Sequence, residues 1–438
     1  MDDGKEVIAK IPNPNAGRAH FLTFSEVATM DFVSQELFTY TSTKVYSWCS
    51  DASKSRVGAE YIIMGKTPGA QLSTFLDNMD VVQKSKIVEN IVLFEKSLAL
   101  NPFPAYGSLY YSDSDTTREK FTVGATNYRK YFDDGRGSLA LDRGLWFSTE
   151  DYVAANAKWE RESIISLGPS PRLQGVFNGP NIYQPSKAAK LHALDLYLSI
   201  SKYPFPTIKI PIKVYYGTLI STPTIPSSYR APFSTSASTG ILGLRWSHSG
   251  KAQISFPENF DDLQSEEKIY AKKLRDEQAL YVLYEIELLR QCRAAGSALH
   301  GRDTLVSRLM GLAGSLFTDG EPVVLGYLMQ AVDRWGEIVG VDAAGEPLVP
   351  CPIDVTDTER AKQRADQQKW EGVELMDEIF QYLGAYSGRD GFVSPDDYEV
   401  KMQHVITSQE AFLQSMAGSD EGKTEQWRKD GPLLFPKF

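Results

Sequence analysis

Only a few side chains in these 438 residues have types and spacings that could do chemistry. Lys10 ends the apolar run EVIAK, and Glu26 stands three residues after Thr23. By spacing alone the first reads as a surface strand lysine and the second as the closing half of a capping box. Asp133, Asp134 and Arg136 in FDDGRG could hold an ion, although Asp-Gly is a turn former first. Glu371, Glu374, Asp377 and Glu378 recur along one helical segment, as metal-binding carboxylates do in bundles; no histidine at helical spacing joins them. A solvated acidic face is the simpler reading. Asp319, Gly320 and Glu321 follow an apolar segment and read as a helix stop. His20, His192, His248, His300 and His404 lack any accompanying Asp pattern and read as surface or satisfied core residues. Cys49, Cys292 and Cys351 are distant and odd in number, which argues against a disulfide framework or a Cys-x-x-Cys metal site and makes a reducing compartment the default.

The elements that would position these groups fall into two kinds. Glu6–Pro12, Lys44–Trp48 and Ala59–Met64 read as strands, the last with a continuous apolar run expected at the centre of a sheet. Thr23–Leu37 reads as a short helix with Val27, Met30, Val33 and Leu37 on one face. Asp80–Leu100 reads as a helix buried along Ile87, Ile91, Phe94 and Leu98, and Phe103–Val123 as a hairpin. Helices are expected after Ser148 and Ser186, and then at 266–292, 305–317, 322–339, 357–386 and 395–416. The expectation is a small mixed sheet with one helix, then a large helical part, joined at Met64–Gly69.

Hydrophobic residues at 42% and charged residues at 23% suit a globular chain with a large core. A net charge of -10 argues against non-specific binding to nucleic acid or anionic membranes. No run of about 18 apolar residues, the length of a membrane-spanning helix, occurs. The start MDDGKEV is acidic where a mitochondrial leader would be Arg-rich, so either a cytosolic protein or a missing N-terminus is expected.

Several segments together carry a family likeness: VIAKIPNP, SEVATMDFV, GAEYIIMGKTPG, FPAYGSLYY, FDDGRGSLALDRG, FPENFDDL, AGSLFTDGEP and GVELMDEIFQYLGAY. Through them nearly the whole chain resembles the aminoglycoside phosphotransferase-like kinases, and more closely a fungal phosphotransferase group known as altered inheritance of mitochondria proteins. The resemblance implies an α+β, protein-kinase-like two-lobed fold. Residues 1–69 would be a truncated nucleotide-binding sheet lobe with its hinge, and 70–438 a large, mainly helical lobe. It also implies ATP and Mg as cofactors, a small-molecule substrate phosphorylated on a hydroxyl, and a mitochondrial location.

Within that resemblance Lys10 matches the strand lysine that contacts the phosphates, and Glu26 its helix partner. The strand Glu60, Tyr61, Ile62, Ile63 and Met64 would offer backbone groups to adenine, and as structure it is a buried sheet strand. No glycine-rich phosphate loop precedes Lys10. The expected catalytic pattern Trp-His-x-Asp-Leu-His-x-Asp-Asn, with Ile-Asp-Trp further on, occurs nowhere in the chain. No catalytic or metal-binding residue is therefore assigned, and the chain is expected to be inactive; a non-catalytic, pseudokinase-type binding or scaffold protein is the alternative.

The missing motifs belong where an atypical segment lies, Tyr203–Gly250. An ordinary polar surface loop is one reading of it. A displaced reading frame is the other. If each codon of Gly217–Ile225, GTLISTPTI, is begun one nucleotide earlier, the new codons can spell Trp-His-x-Asp-Leu-His-x-Asp-Asn in full. The same shift lets Ser238, Thr239 and Gly240 spell Ile-Asp-Trp. The test is restrictive, because only Gly has codons beginning GG and only Thr has AC. The transcript over codons 217–240 is expected to encode both motifs in the neighbouring frame; sequencing that finds codons unable to do so removes the displaced-frame reading.

Overall fold

The apolar run at Tyr61–Gly65 needs a neighbour on each edge, and the computed structural model supplies both. It describes residues 6–13, 17–37, 44–66, 75, 78–112, 120–168, 183–203, 256–257, 259–301, 304–312, 314, 316–317, 320–382, 398–400, 402–404 and 406–407. Strand β1 (Val7–Lys10) and β2 (Val45–Cys49) flank β3 (Tyr61–Gly65) in an antiparallel sheet of order β1–β3–β2. Register pairs Lys10 with Ile62 on one side and Trp48 with Ile62 on the other. β3 alternates, so Ile62 and Met64 point to one face and pack on Val27 of helix α1 (Phe21–Phe32).

Helix α1 starts at Phe21 with His20 as N-cap, two residues before the start that Thr23 suggests. No side chain caps it, and the expected Thr23–Glu26 capping box does not form. The reason lies in Glu26, which turns to Lys10 on the sheet. One turn of π-helix, Val33–Leu37, extends α1.

Asp80 opens α2 (Val81–Ala99) through a capping box with Gln83. Its buried line is Val88 and Val92, packed on Leu280, Tyr284 and Leu288 of α5 (Ser265–Gln291). The expected line is thus displaced by one residue, leaving Ile87 and Ile91 beside the core and Phe94 exposed. The expected hairpin is present as β4 (Ser108–Tyr111) and β5 (Phe121–Gly124), with Leu109 and Val123 packed near Phe32 of α1. FDDGRG forms a turn in which Asp134 and Gly135 take positive φ and buried Arg136 donates to Asp133 O and to Asp134.

The other described helices are α3 (Thr149–Leu167), α4 (Lys187–Ile200), α6 (Arg293–His300), α7 (Leu305–Leu312), α8 (Glu321–Asp333), α9 (Trp335–Val339) and α10 (Asp357–Tyr382). Packing groups the chain into two compact units, one within Met1–Ser138, Asp142–Tyr152 and Lys209–Asp303, the other within Leu139–Leu141, Val153–Ile208 and Thr304–Phe438. This grouping is distinct from the functional division expected at residue 69. The fold is mixed α/β, mostly helical, with a small antiparallel sheet. Among the described residues no helix is long and apolar enough to cross a membrane.

Among the described residues of the second unit three charged side chains are buried: Glu160, Lys190 and Glu321. Glu160 accepts from the Phe317 N–H at 2.5 Å, and Lys190 donates to the Phe317 carbonyl at 3.4 Å. Glu321 accepts from the Ser186 N–H at 2.8 Å. Gly320 and Glu321 therefore begin helix α8, with Gly320 as N-cap at φ 113, and do not stop a helix; α7 has ended at Leu312.

Tyr110 donates its hydroxyl to Ala125 O at 2.9 Å, and burial pushes its phenol up to about 12 from an ordinary 10. The folded state holds that proton more tightly than the unfolded state. Its contribution is complete below pH 10 and is lost as pH rises through about 12. At 1.36 kcal/mol per pH unit this amounts to at most about 2–3 kcal/mol. Urea midpoints measured from pH 9 to pH 12 are expected to fall less steeply for Tyr110→Phe than for the unsubstituted chain.

Candidate functional site

The sheet and helix α1 bring together Lys10 and Glu26. Lys10 ends the edge strand β1, which has β3 on one side only. Glu26 lies in the middle of α1 on the face turned to the sheet, beside Val27 and the buried Ser25 and Thr29. The Lys10 ammonium donates to Glu26 Oε1. Their side chains are 28% and 9% exposed, so the lysine faces partly outward and the carboxylate is almost out of water. A carboxylate so placed is stable only when a cation or donors meet it. The arrangement thereby presents one positive charge in a fixed place, and a fixed ammonium suits a phosphate or another anion.

Glu60–Met64 runs into the central strand β3, the sheet strand that the sequence also suggests. Tyr61, Ile62, Ile63 and Met64 are paired with β2 on one side, and Ile62–Met64 with β1 on the other, so their backbone groups are directed into the sheet. Ile62 and Met64 supply core to α1. Glu60, just before the strand, accepts the His20 N–H at 2.8 Å. The nearby ring of His20 meets Ser50 through Nδ1 at 2.8 Å.

A second polar group lies further along α1. Lys120 reaches Asp31 at 2.6 Å, and the Tyr111 hydroxyl donates to the same carboxylate at 3.0 Å. Burial, reinforced by Asp31, pushes the Tyr111 phenol well above the usual range. These contacts tie the hairpin to α1, which fixes the helix that carries Glu26. Within the second unit, α8 and α10 enclose a groove of about 640 Å³ lined by Tyr327, Gln330, Asp333, Arg360, Arg364 and Gln367, among others. Arg360 is paired with Asp333 at 2.7 Å.

The other sequence candidates separate. Asp133, Asp134 and Arg136 serve their own turn. Glu371 and Glu374 are exposed, and Glu374 accepts from Trp370 Nε1; the side chains of Asp377 and Glu378 lie outside the described ones. Of the histidines, His20, His192, His300 and His404 are exposed, and His248 lies outside the described residues, as do Asp319 and all of 204–255. Among the described residues no three His, Cys, Asp or Glu side chains come together as a metal site.

Sequence reasoning read His20 as a surface or satisfied core residue, and it passed over Ser50, Glu160 and Lys190. A signal existed for Lys190, which stands three, four and seven residues before the buried Ala193, Leu194 and Tyr197 of its helix. None existed for the His20–Ser50 contact, which joins residues 30 apart in sequence.

Removing the Lys10 charge strands a nearly buried carboxylate. Lys10→Met is expected to cost about 1–3 kcal/mol in urea unfolding, less than a fully buried pair because the lysine is partly solvated. Glu26→Gln in the Lys10→Met background is expected to recover part of that loss, so that a double-mutant cycle returns a favourable coupling.

Comparison with known proteins adds little about chemistry. No protein-family model matches the chain, and no solved structure matches it. The chain is 37% identical over 155 residues to proteins of two Aspergillus fumigatus strains named subtelomeric hrmA-associated cluster protein, covering 32% of this chain and 29% of each of theirs. It thus spans under a third of the length of the curated relatives it matches.

Proposed function

We propose that the chain is a phosphotransferase-like protein of kinase-like, two-lobed type, whose Lys10 meets the phosphates of ATP. The observation that carries this reading is the Lys10–Glu26 pair, which joins an edge strand to the helix packed on its sheet. The pair fits a triphosphate. Glu26 holds the lysine in one orientation, and the 28% exposure of its side chain leaves room for an anion to approach.

Phosphoryl transfer to a small-molecule hydroxyl also needs an Asp to orient the acceptor and magnesium to offset charge on the phosphates. In the resemblance these groups belong at 217–240, which lies outside the described residues and lacks the motif in sequence. No residue is therefore assigned to magnesium or to the acceptor. In this reading the chain binds nucleotide through its lysine and does not turn it over. The same missing motif favours a second reading, a pseudokinase-type binding or scaffold protein.

Both readings meet one experiment. Mg-ATP is expected to raise the thermal midpoint, with about 2.7 kcal/mol of stabilisation at a concentration 100 times the dissociation constant. Lys10→Met is expected to lose that rise. No shift at saturating Mg-ATP overturns the nucleotide reading and leaves the binding-protein reading in place.

A further inference from the structure

His20 holds the less favourable of the two positive-φ conformations found among the described non-glycine residues. The other, Asp134, sits at φ 56 in the Asp-Gly turn, where an aspartate is tolerated. His20 has φ 67 and ψ −58, and the Phe21 N–H closes onto Ala19 O at 2.9 Å. That is a γ-turn of the positive-φ form, which is rare and strained for a residue with a side chain. Such a conformation persists only where its surroundings over-determine it.

Its surroundings do so through four contacts. Its backbone N–H donates to Glu60 Oε1 at 2.8 Å, and its Nδ1 meets Ser50 Oγ at 2.8 Å. Its ring stacks on Phe24 with centroids 5.6 Å apart and stands edge-on to Phe21 at 5.1 Å. Ser50 follows β2 directly and Glu60 precedes β3 directly. The helix entrance is thus tied to the ends of two strands. Six residues on, the same helix is tied to the third strand through Glu26 and Lys10.

We infer that His20 is a positioning residue: it latches the start of α1 to the β2 and β3 ends of the sheet, and so keeps the Glu26 carboxylate on the Lys10 ammonium. A glycine would adopt this backbone without strain. The imidazole adds the bond to Ser50 and the stack on Phe24, and with them a set angle for the helix. The inference rests on the nucleotide reading of Lys10 for its functional meaning, but the latch itself is a statement about one helix and one ion pair.

The test uses the full chain and two readouts. His20→Gly keeps the backbone N–H and the positive φ while removing all three ring contacts, those with Ser50, Phe24 and Phe21. Acylation of Lys10 by acetic anhydride, measured by mass spectrometry against exposed Lys54, reports how firmly Glu26 holds it. His20→Gly is expected to speed Lys10 labelling about tenfold and to weaken Mg-ATP binding by a similar factor, with an almost unchanged urea midpoint. His20→Asn, whose side chain can bond to Ser50, is expected to restore part of both. Ser50→Ala gives an independent arm should the glycine variant fold poorly, with faster labelling expected. Unchanged Lys10 labelling in His20→Gly and Ser50→Ala overturns the latch, whatever ATP does. A latch seen by labelling in a chain that does not bind Mg-ATP overturns only the nucleotide reading.

Discussion

A carboxylate taken out of water inside a helix must find a cation or hydrogen-bond donors, and the first unit is arranged around a cation. Glu26 is 7% exposed and has its cation on a different element, 16 residues earlier in the chain. For the two to meet, α1 must lie across the sheet at one angle and one depth. Ile62 and Met64 set the depth by packing on Val27. His20 fixes one end, and the hairpin fixes the far side through Tyr111, Lys120 and Asp31. Side-chain charge, apolar packing and a strained turn therefore agree on the same placement of one helix, and that agreement marks a well-specified local structure.

The second unit meets a similar requirement with a different solution. Glu160 and Lys190 are wholly buried, and both bind the same residue, one at the Phe317 N–H and the other at its carbonyl. Here opposite charges satisfy a backbone segment between helices, where secondary structure offers it no ladder. Glu321 does the same for Ser186 at the entrance to α4. Hydrogen bonds of this kind offset the cost of taking the ions out of water.

Much of this was legible in the amino-acid order. The apolar run expected as a central strand over Ala59–Met64 is one, at Tyr61–Gly65, and Asp80 and Ser186 read as helix starts and cap their helices. These features are local, set by periodicity and capping within a few residues. The failures are tertiary. Thr23 and Glu26 have capping-box spacing, yet Glu26 answers to a lysine on another element. The face of α2 is displaced by one residue because α5, far away in sequence, decides which line is covered. The backbone of Ile62–Met64 makes ladders on both edges, and the strands that complete them lie elsewhere in the sequence. Lys190 was passed over because a lysine in a helix is read as polar, whatever line it shares with Leu194 and Tyr197.

The pairing of α2 with α5 has a consequence for how the protein is made. The Tyr284 hydroxyl binds Glu95 across 189 residues, and Lys96 reaches Gln291 across 195. Val88 and Val92 thus leave the ribosome long before their cover exists. At about 5–20 residues per second, α2 waits roughly 10–40 seconds for α5 to be synthesised. Throughout that interval the apolar line of α2 is without its native cover on α5, so the core of the first unit closes only late in synthesis.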